Sequence, residues 1–136
     1  MIIADTSALL ALFNDREPAH AAVSTIVSSR SDPLVVSPYV VAELDYLVAT
    51  RVGVDAELAV LAELSGGAYD LATFGSEELA IARAVVERYR DQELGVADAS
   101  IVVLADKLRT REVLTLDRRH FDVVRPLSGG RFRIAP

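Results

Sequence analysis

The chain contains no cysteine. That absence excludes a disulfide framework and thiolate-bound metal, and it fits a reducing compartment. Histidine is scarce: His20 and His120 are the only two, which with no thiolate available argues against a zinc site. Neither accompanies a serine in a recognisable elbow, so a Ser-His-Asp hydrolase is not indicated. No apolar run approaches the ~20 residues that a membrane-spanning helix needs. The opening residues carry no basic stretch and already contain Asp5, so no signal peptide is expected. Internal repeats, low-complexity tracts and linkers are missing as well. These absences lead to the expectation of one domain over residues 1–136, located in the cytoplasm and not in a membrane.

What is present is apolar: 51% of the residues are hydrophobic, which argues against disorder. A chain of this length buries roughly two-thirds of the surface its unfolded form exposes, enough to fold without covalent staples. Charge is unevenly placed. Residues 1–106 hold 6 Lys/Arg and 17 Asp/Glu, a balance of −11, whereas residues 107–136 hold 8 and 3, a balance of +5. A basic terminal segment on an acidic body suits phosphates or an acidic partner, and equally a solvated surface.

Short apolar runs alternate with helical patterns. MIIAD, PLVVS (33–37), AYDLATF (68–74) and EVLTLD (112–117) read as strands. Residues 17–30 read as a helix with Pro18 in its first turn, and Pro38 opens another that Gly53 ends. Residues 55–67 form a helix capped by Asp55, Ser76 opens a long one over 76–92, and 96–110 is a further, very apolar helix. VVRPL (123–127) and RFRIAP (131–136) are candidates for one or two terminal strands. Strands separated by helices imply a parallel sheet covered on both faces.

In such sheets ligands bind at the C-terminal ends of the strands. Asp5 ends the first strand and Asp117 the fourth. Asp98 lies near a helix start on the face shared with Ile101, Val102 and Ala105, where the ordinary role would be a first-turn acid facing the helix dipole. In YVVAELDYLVATR, Glu43 and Asp45 flank the apolar stripe on opposite margins, and periodicity does not choose between them. Several acids at one edge repel, and must take up protons or share a cation. An oxygen-only donor set suits Mg²⁺ or Mn²⁺. Carboxylates binding such an ion point to metal-dependent phosphoryl transfer.

Four blocks carry a resemblance. ADTSALLALF, SPYVVAELDYLV, LGVADASIVVLA and VLTLDRRHF, in this order and spacing over almost the whole chain, resemble the PIN-domain ribonucleases, and more narrowly the VapC toxins of bacterial type II toxin–antitoxin pairs. The resemblance implies a PIN-like three-layer α/β/α sandwich with a central, mainly parallel sheet of four to five strands. It places the family's acids on Asp5, Glu43 (the Glu of the AEL pattern, not Asp45), Asp98 and Asp117. Asp5 and Asp98 are the implied ligands of Mg²⁺ or Mn²⁺, Glu43 and Asp117 complete the cluster, and Ser7 matches the hydroxyl that supports the first acid. Thr115 is a candidate for orienting substrate or water.

The implied activity is that of an endoribonuclease toxin that hydrolyses RNA, with transfer or ribosomal RNA the expected substrate, and inhibits translation and growth. The implied partners are a VapB-like antitoxin and a second copy in a homodimer. The antitoxin has the Tyr39, Tyr46 and Leu47 region as a candidate seat, where core packing is the alternative. Arg118, Arg119 and His120 are candidates for phosphate contacts, against a solvated loop. Two other readings stand beside this: a PIN-like RNA-binding or scaffold module without turnover, and another Mg²⁺-dependent phosphohydrolase. A haloacid-dehalogenase-type enzyme needs an Asp two residues after the first, where this chain has Ser7. A receiver domain needs an acidic pair after the first strand and a phosphorylatable Asp that AYDLATF does not place.

Overall fold

A computed structural model describes residues 1–136. The opening apolar run forms β1 (Ile3–Ala4), and the Asp5 carbonyl accepts from Leu9 N–H to close the first turn of α1 (Thr6–Phe13). α2 (His20–Ser28) is shorter than the sequence pattern predicts. Proline disfavours helical backbone in the residue before it, so Glu17, Pro18 and Ala19 form a turn closed by His20 N–H on the Glu17 carbonyl. β2 (Leu34–Val36) leads into α3 (Pro38–Arg51), which has Pro at its first position and Ser37 as N-cap, its hydroxyl accepting from Tyr39 N–H at 3.1 Å. α4 (Val54–Ser65) starts from Gly53, whose φ of 140° only glycine adopts cheaply, so Asp55 stands inside the first turn and is not the cap.

β3 (Tyr69–Leu71) precedes α5 (Ser76–Arg88), where the Glu78 carboxylate reaches back to Gly75 N–H at 3.1 Å. A single 3₁₀ turn (Arg90–Gln92) joins it to α6 (Val96–Lys107). β4 (Glu112–Leu114), α7 (Arg118–Val123) and β5 (Arg133–Ala135) complete the chain. Residues 123–127 therefore form no strand. Val124 is extended, but the free edge of β4 is taken by β5, with Arg133 N–H bonding the Arg111 carbonyl and Thr115 N–H bonding the Ala135 carbonyl. Pro126 moreover has no N–H to offer a ladder.

The five strands are all parallel, in the order β3-β2-β1-β4-β5. β1 is central, Ile3 pairing with Val35 on one side and Val113 on the other. Every residue of β1 and β2 is buried, as strands covered on both faces must be, while β3 and β5 at the edges keep partial exposure. α6 is the most buried helix: Ala97 and all of Ala99 through Ala105 are inside. Phe121 of α7 meets Phe132 edge-to-face at 5.8 Å, which ties the short helix to the segment entering β5. No helix is long and apolar enough to cross a membrane.

Candidate active site

Asp5 occupies the N-cap position of α1, yet its side chain makes no capping bond. It is 5% exposed and turns to β4 instead. Its Oδ2 accepts from the Thr115 hydroxyl at 2.8 Å and from the Ser7 hydroxyl at 3.2 Å. Both hydroxyls are themselves held by backbone: Leu116 N–H donates to Ser7 Oγ at 3.0 Å and Asp117 N–H to Thr115 Oγ1 at 2.9 Å. With β1 and β4 adjacent, the Thr115 hydroxyl joins the carboxylate of Asp5 to the backbone of Asp117. Ser7 supports Asp5 as the resemblance implies. Thr115, expected to face substrate or water, faces Asp5.

Asp98 projects from the first turn of α6, with its side chain 21% exposed. Its carboxyl is pushed up to about 6, first by burial, then by repulsion from Asp5; His120 opposes the rise, and Glu43 and Asp117 add to it. Asp5 is also raised, by burial above all, against the pull of its Thr115 and Ser7 hydrogen bonds and with a contribution from Glu43. Asp5, Glu43 and Asp117 therefore all act on Asp98, and Glu43 acts on Asp5 as well. Glu43, on α3, is exposed and faces this cluster. Asp45 is drawn instead toward α4, where its carboxylate raises the pKa of Glu57. The helix geometry thus separates the two acids that periodicity left equivalent.

Two features escaped the sequence. The His120 Nδ1 lies 3.2 Å from Asp98 Oδ2 and 3.5 Å from Asp117 Oδ2, so the imidazole stands between two of the acids. It sits there because RRHFDV forms α7, with Phe121 turned into the core and His120 one residue away turned to the cluster. Of the other two residues of this stretch, Arg118 donates to the Pro136 carbonyl at 3.0 Å and Arg119 is solvent-facing, 4.0 Å from Asp117. The second feature is a buried relay. Tyr39 N–H bonds Ser37 Oγ, Ser37 and Ser100 hydroxyls meet at 2.6 Å, and Ser100 donates to the Ala97 carbonyl at 2.6 Å. Since a hydroxyl has one proton, Ser37 is the donor to Ser100. The relay links the start of α3, which carries Glu43, to the start of α6, which carries Asp98.

The donor set is carboxylate oxygen plus one imidazole. Nowhere do three or more His, Asp or Glu side chains stand ready-made around one metal position. Mg²⁺, however, is commonly held by one or two carboxylates with its remaining positions filled by water. Asp5 and Asp98, both raised by burial and by neighbouring carboxylates, are the pair whose charge a cation would relieve. The residues present fit such an ion.

The family described as "PIN domain" matches residues 2–126. Ribonuclease VapC26 of Mycobacterium tuberculosis (strain ATCC 25618 / H37Rv) is 64% identical over 135 residues, covering 99% of this chain and 100% of the relative. Among solved structures, Mycobacterium tuberculosis VapC20, a Sarcin-Ricin loop cleaving toxin, has a TM-score of 0.85 at 20% identity and covers 100% of both chains. VapBC2 from Rickettsia felis, bound to a DNA fragment from its promoter, has a TM-score of 0.73 at 14% identity, again over 100% of both. At these identities the two structural likenesses speak to the fold, which is that of an α/β/α sandwich.

Proposed function

The chain belongs to the PIN-domain family, and on that premise we propose that it is a metal-dependent endoribonuclease, the toxin of a VapBC-type pair. The observation that carries the reading is the convergence of Asp5, Glu43 and Asp117 on Asp98 at the carboxyl end of the central strands. A relative named as a ribonuclease at 64% identity supports it.

Asp5 and Asp98 are the residues that hold Mg²⁺ or Mn²⁺. When bound, the ion supplies Lewis-acid polarisation of the phosphodiester. The chain's own groups do the rest. Ser7 and Thr115 hold Asp5 in one rotamer, so its carboxylate is oriented before substrate arrives. Glu43 and Asp117, both more open than Asp5, orient the attacking water and receive its proton. In-line attack at phosphorus then breaks the bond to the 3′ oxygen, leaving a 5′-phosphate and a 3′-hydroxyl. His120 holds Asp98 and Asp117 in register.

The partner is a VapB-like antitoxin, in keeping with structural neighbours solved as toxin–antitoxin complexes. The chain works as a homodimer in the cytoplasm. Tyr46 of α3 is 67% exposed and Val54 and Leu58 of α4 are 62% and 59% exposed, an apolar surface such assembly would cover. Tyr39, by contrast, packs edge-to-face on Phe74 at 5.1 Å, as a core residue does.

Sequencing of RNA 5′ ends after induced expression tests the proposal, with Asp5→Asn as control. Discrete new 5′-phosphate ends that vanish in the control are expected. Identical ends from both proteins, or cleavage by the purified chain in EDTA equal to that in Mg²⁺, would overturn it.

A further inference from the structure

At the opposite end of the sheet from the acids lies an open cavity of about 990 Å³. It is lined by the α6–β4 turn, the start of β4, the chain's first residue and β5. Four basic side chains, Lys107, Arg109, Arg111 and Arg133, face two acidic ones, Asp106 and Glu112. Lys107 is committed to Glu78 at 2.8 Å, and Glu112 is committed to Arg30 at 3.2 Å. Arg109, Arg111 and Arg133 take part in none of the chain's ion pairs. The cavity thus presents three guanidinium groups outside any ion pair, against a single acid, Asp106, that is also outside any.

Their placement is built into the fold. Arg109 closes α6 with φ of 55°, in the left-handed position where glycine costs least, and Thr110 N–H bonds back to the Ala105 carbonyl. Arg111 and Arg133 are joined through the β4–β5 ladder, Arg133 N–H donating to the Arg111 carbonyl at 2.8 Å. The Arg111 guanidinium lies over Gly130, where an added Cβ would stand 2.9 Å from its Nη1. A glycine with φ of 81° leaves that space open.

We propose that this cavity is a second RNA site, which takes the phosphate backbone of the substrate away from the bond that is cut. The proposal rests on the ribonuclease reading above. Four carboxylates at the cleavage end repel a polyanion, and residues 1–106 carry a balance of −11. A ribonuclease so charged needs a compensating anchor, and phosphate contacts from Arg supply affinity without reading sequence. Only three of the twelve lining residues are hydrophobic, which is poor in the apolar anchors a protein partner uses and well matched to nucleic acid. The chain from Met1 at the cavity through β1 to Asp5 at the acids spans ~13 Å when extended. A short oligonucleotide reaches one end; a folded RNA reaches both.

The test compares wild type, Arg109→Gln/Arg111→Gln/Arg133→Gln and the corresponding triple Lys variant, with circular dichroism to check folding. Binding of fluorescently labelled mixed transfer RNA is measured by anisotropy over a range of salt, and cleavage of a short oligouridylate by its kcat and KM. The Gln variant should bind transfer RNA about tenfold or more weakly, with a salt slope smaller by about 2. Its cleavage of oligouridylate should match wild type, and the Lys variant should recover affinity and slope. Equal affinity and slope in all three proteins, with wild-type cleavage intact, overturns this site and leaves the ribonuclease reading standing. Loss of affinity for poly-glutamate with RNA binding unchanged overturns it in favour of an acidic protein partner. A wild type that neither binds nor cleaves RNA overturns both.

Discussion

The hydroxyls of Ser37 and Ser100 meet at 2.6 Å in the interior, one at the cap of the helix that carries Glu43, the other two residues past Asp98. Both are fully buried. Removing one partner leaves the other with an unmet polar group, at a cost of about 1–3 kcal/mol. Ser37→Ala also removes a cap, worth about 1 kcal/mol by itself. A double-mutant cycle of Ser37→Ala and Ser100→Ala in urea should therefore show the double variant less destabilised than the sum of the singles. Strict additivity would sink the relay as a coupled unit.

Thr115→Val keeps shape and removes the hydroxyl that Asp5 and Asp117 N–H share. Outer-shell losses of this kind typically cost 10–100-fold in metal affinity or activity. The expected outcome is a fall in Mn²⁺ affinity of about that size, read by calorimetry, with little change in fold. Unaltered Mn²⁺ binding would show that the hydroxyl does not orient Asp5.

The raised carboxyl of Asp98 makes stability run against the usual acid trend. Its ordinary value is 3.8 and its folded value about 6. Between these the folded chain keeps a proton that the unfolded chain has released, so stability falls as pH rises through this window. Asp5, raised for the same first reason, adds in the same direction. Without divalent metal, the melting temperature should drop from pH 5 to pH 7.5, and Asp98→Asn should flatten the profile and melt higher at pH 7.5 by roughly 2–4 °C per kcal/mol relieved. A wild-type profile that rises over this interval contradicts the shift.

Divalent metal should reverse that loss. Mg²⁺ binding the folded chain alone stabilises it by RT ln(1 + [L]/Kd), so melting temperature should climb with Mg²⁺ at pH 7.5. The climb should be smaller at pH 5, where Asp98 holds its proton, and absent in Asp5→Asn/Asp98→Asn. A pH-independent response, or one retained in the double variant, assigns the ion elsewhere.

Phe121 is the largest fully buried side chain and the link between α7 and the segment entering β5. Phe121→Ala should cost about 3–5 kcal/mol. It should also loosen His120 next to it, so that activity falls further than the melting temperature alone accounts for. Phe121→Leu, which keeps most of the volume, should recover much of both.

How far the sequence foretold this depends on the range of the interaction. Asp5 and Asp98 are legible because each interrupts an apolar pattern, an acid where a strand stops or on the buried face of a helix. Glu43 is not legible that way. Its separation from Asp45 depends on where α4 packs, and the AEL pattern of the family, not periodicity, selects it. Thr115 on Asp5, His120 between two acids and Ser37 on Ser100 join residues far apart in sequence, which no local pattern reports. α7 was hidden because six residues with two arginines, a histidine and an aspartate show no helical period. Of the two candidate terminal strands only the second forms, because local extension makes a strand only where an edge is free to receive it, and β5 already holds that edge.

The position of β1 between β2 and β4 also sets a timetable. Asp5 is synthesised long before the hydroxyl that orients it, which belongs to Thr115, and Asp117 follows later still. At roughly 5–20 residues per second, the interval between the first acid and the last is about 5–20 s. Throughout that interval the nascent chain has a first acid without its full set of partners. A protein whose finished form attacks RNA thus emerges beside the RNA-rich machinery that makes it in an inert state. Its four acids can meet only after Asp117 has been made.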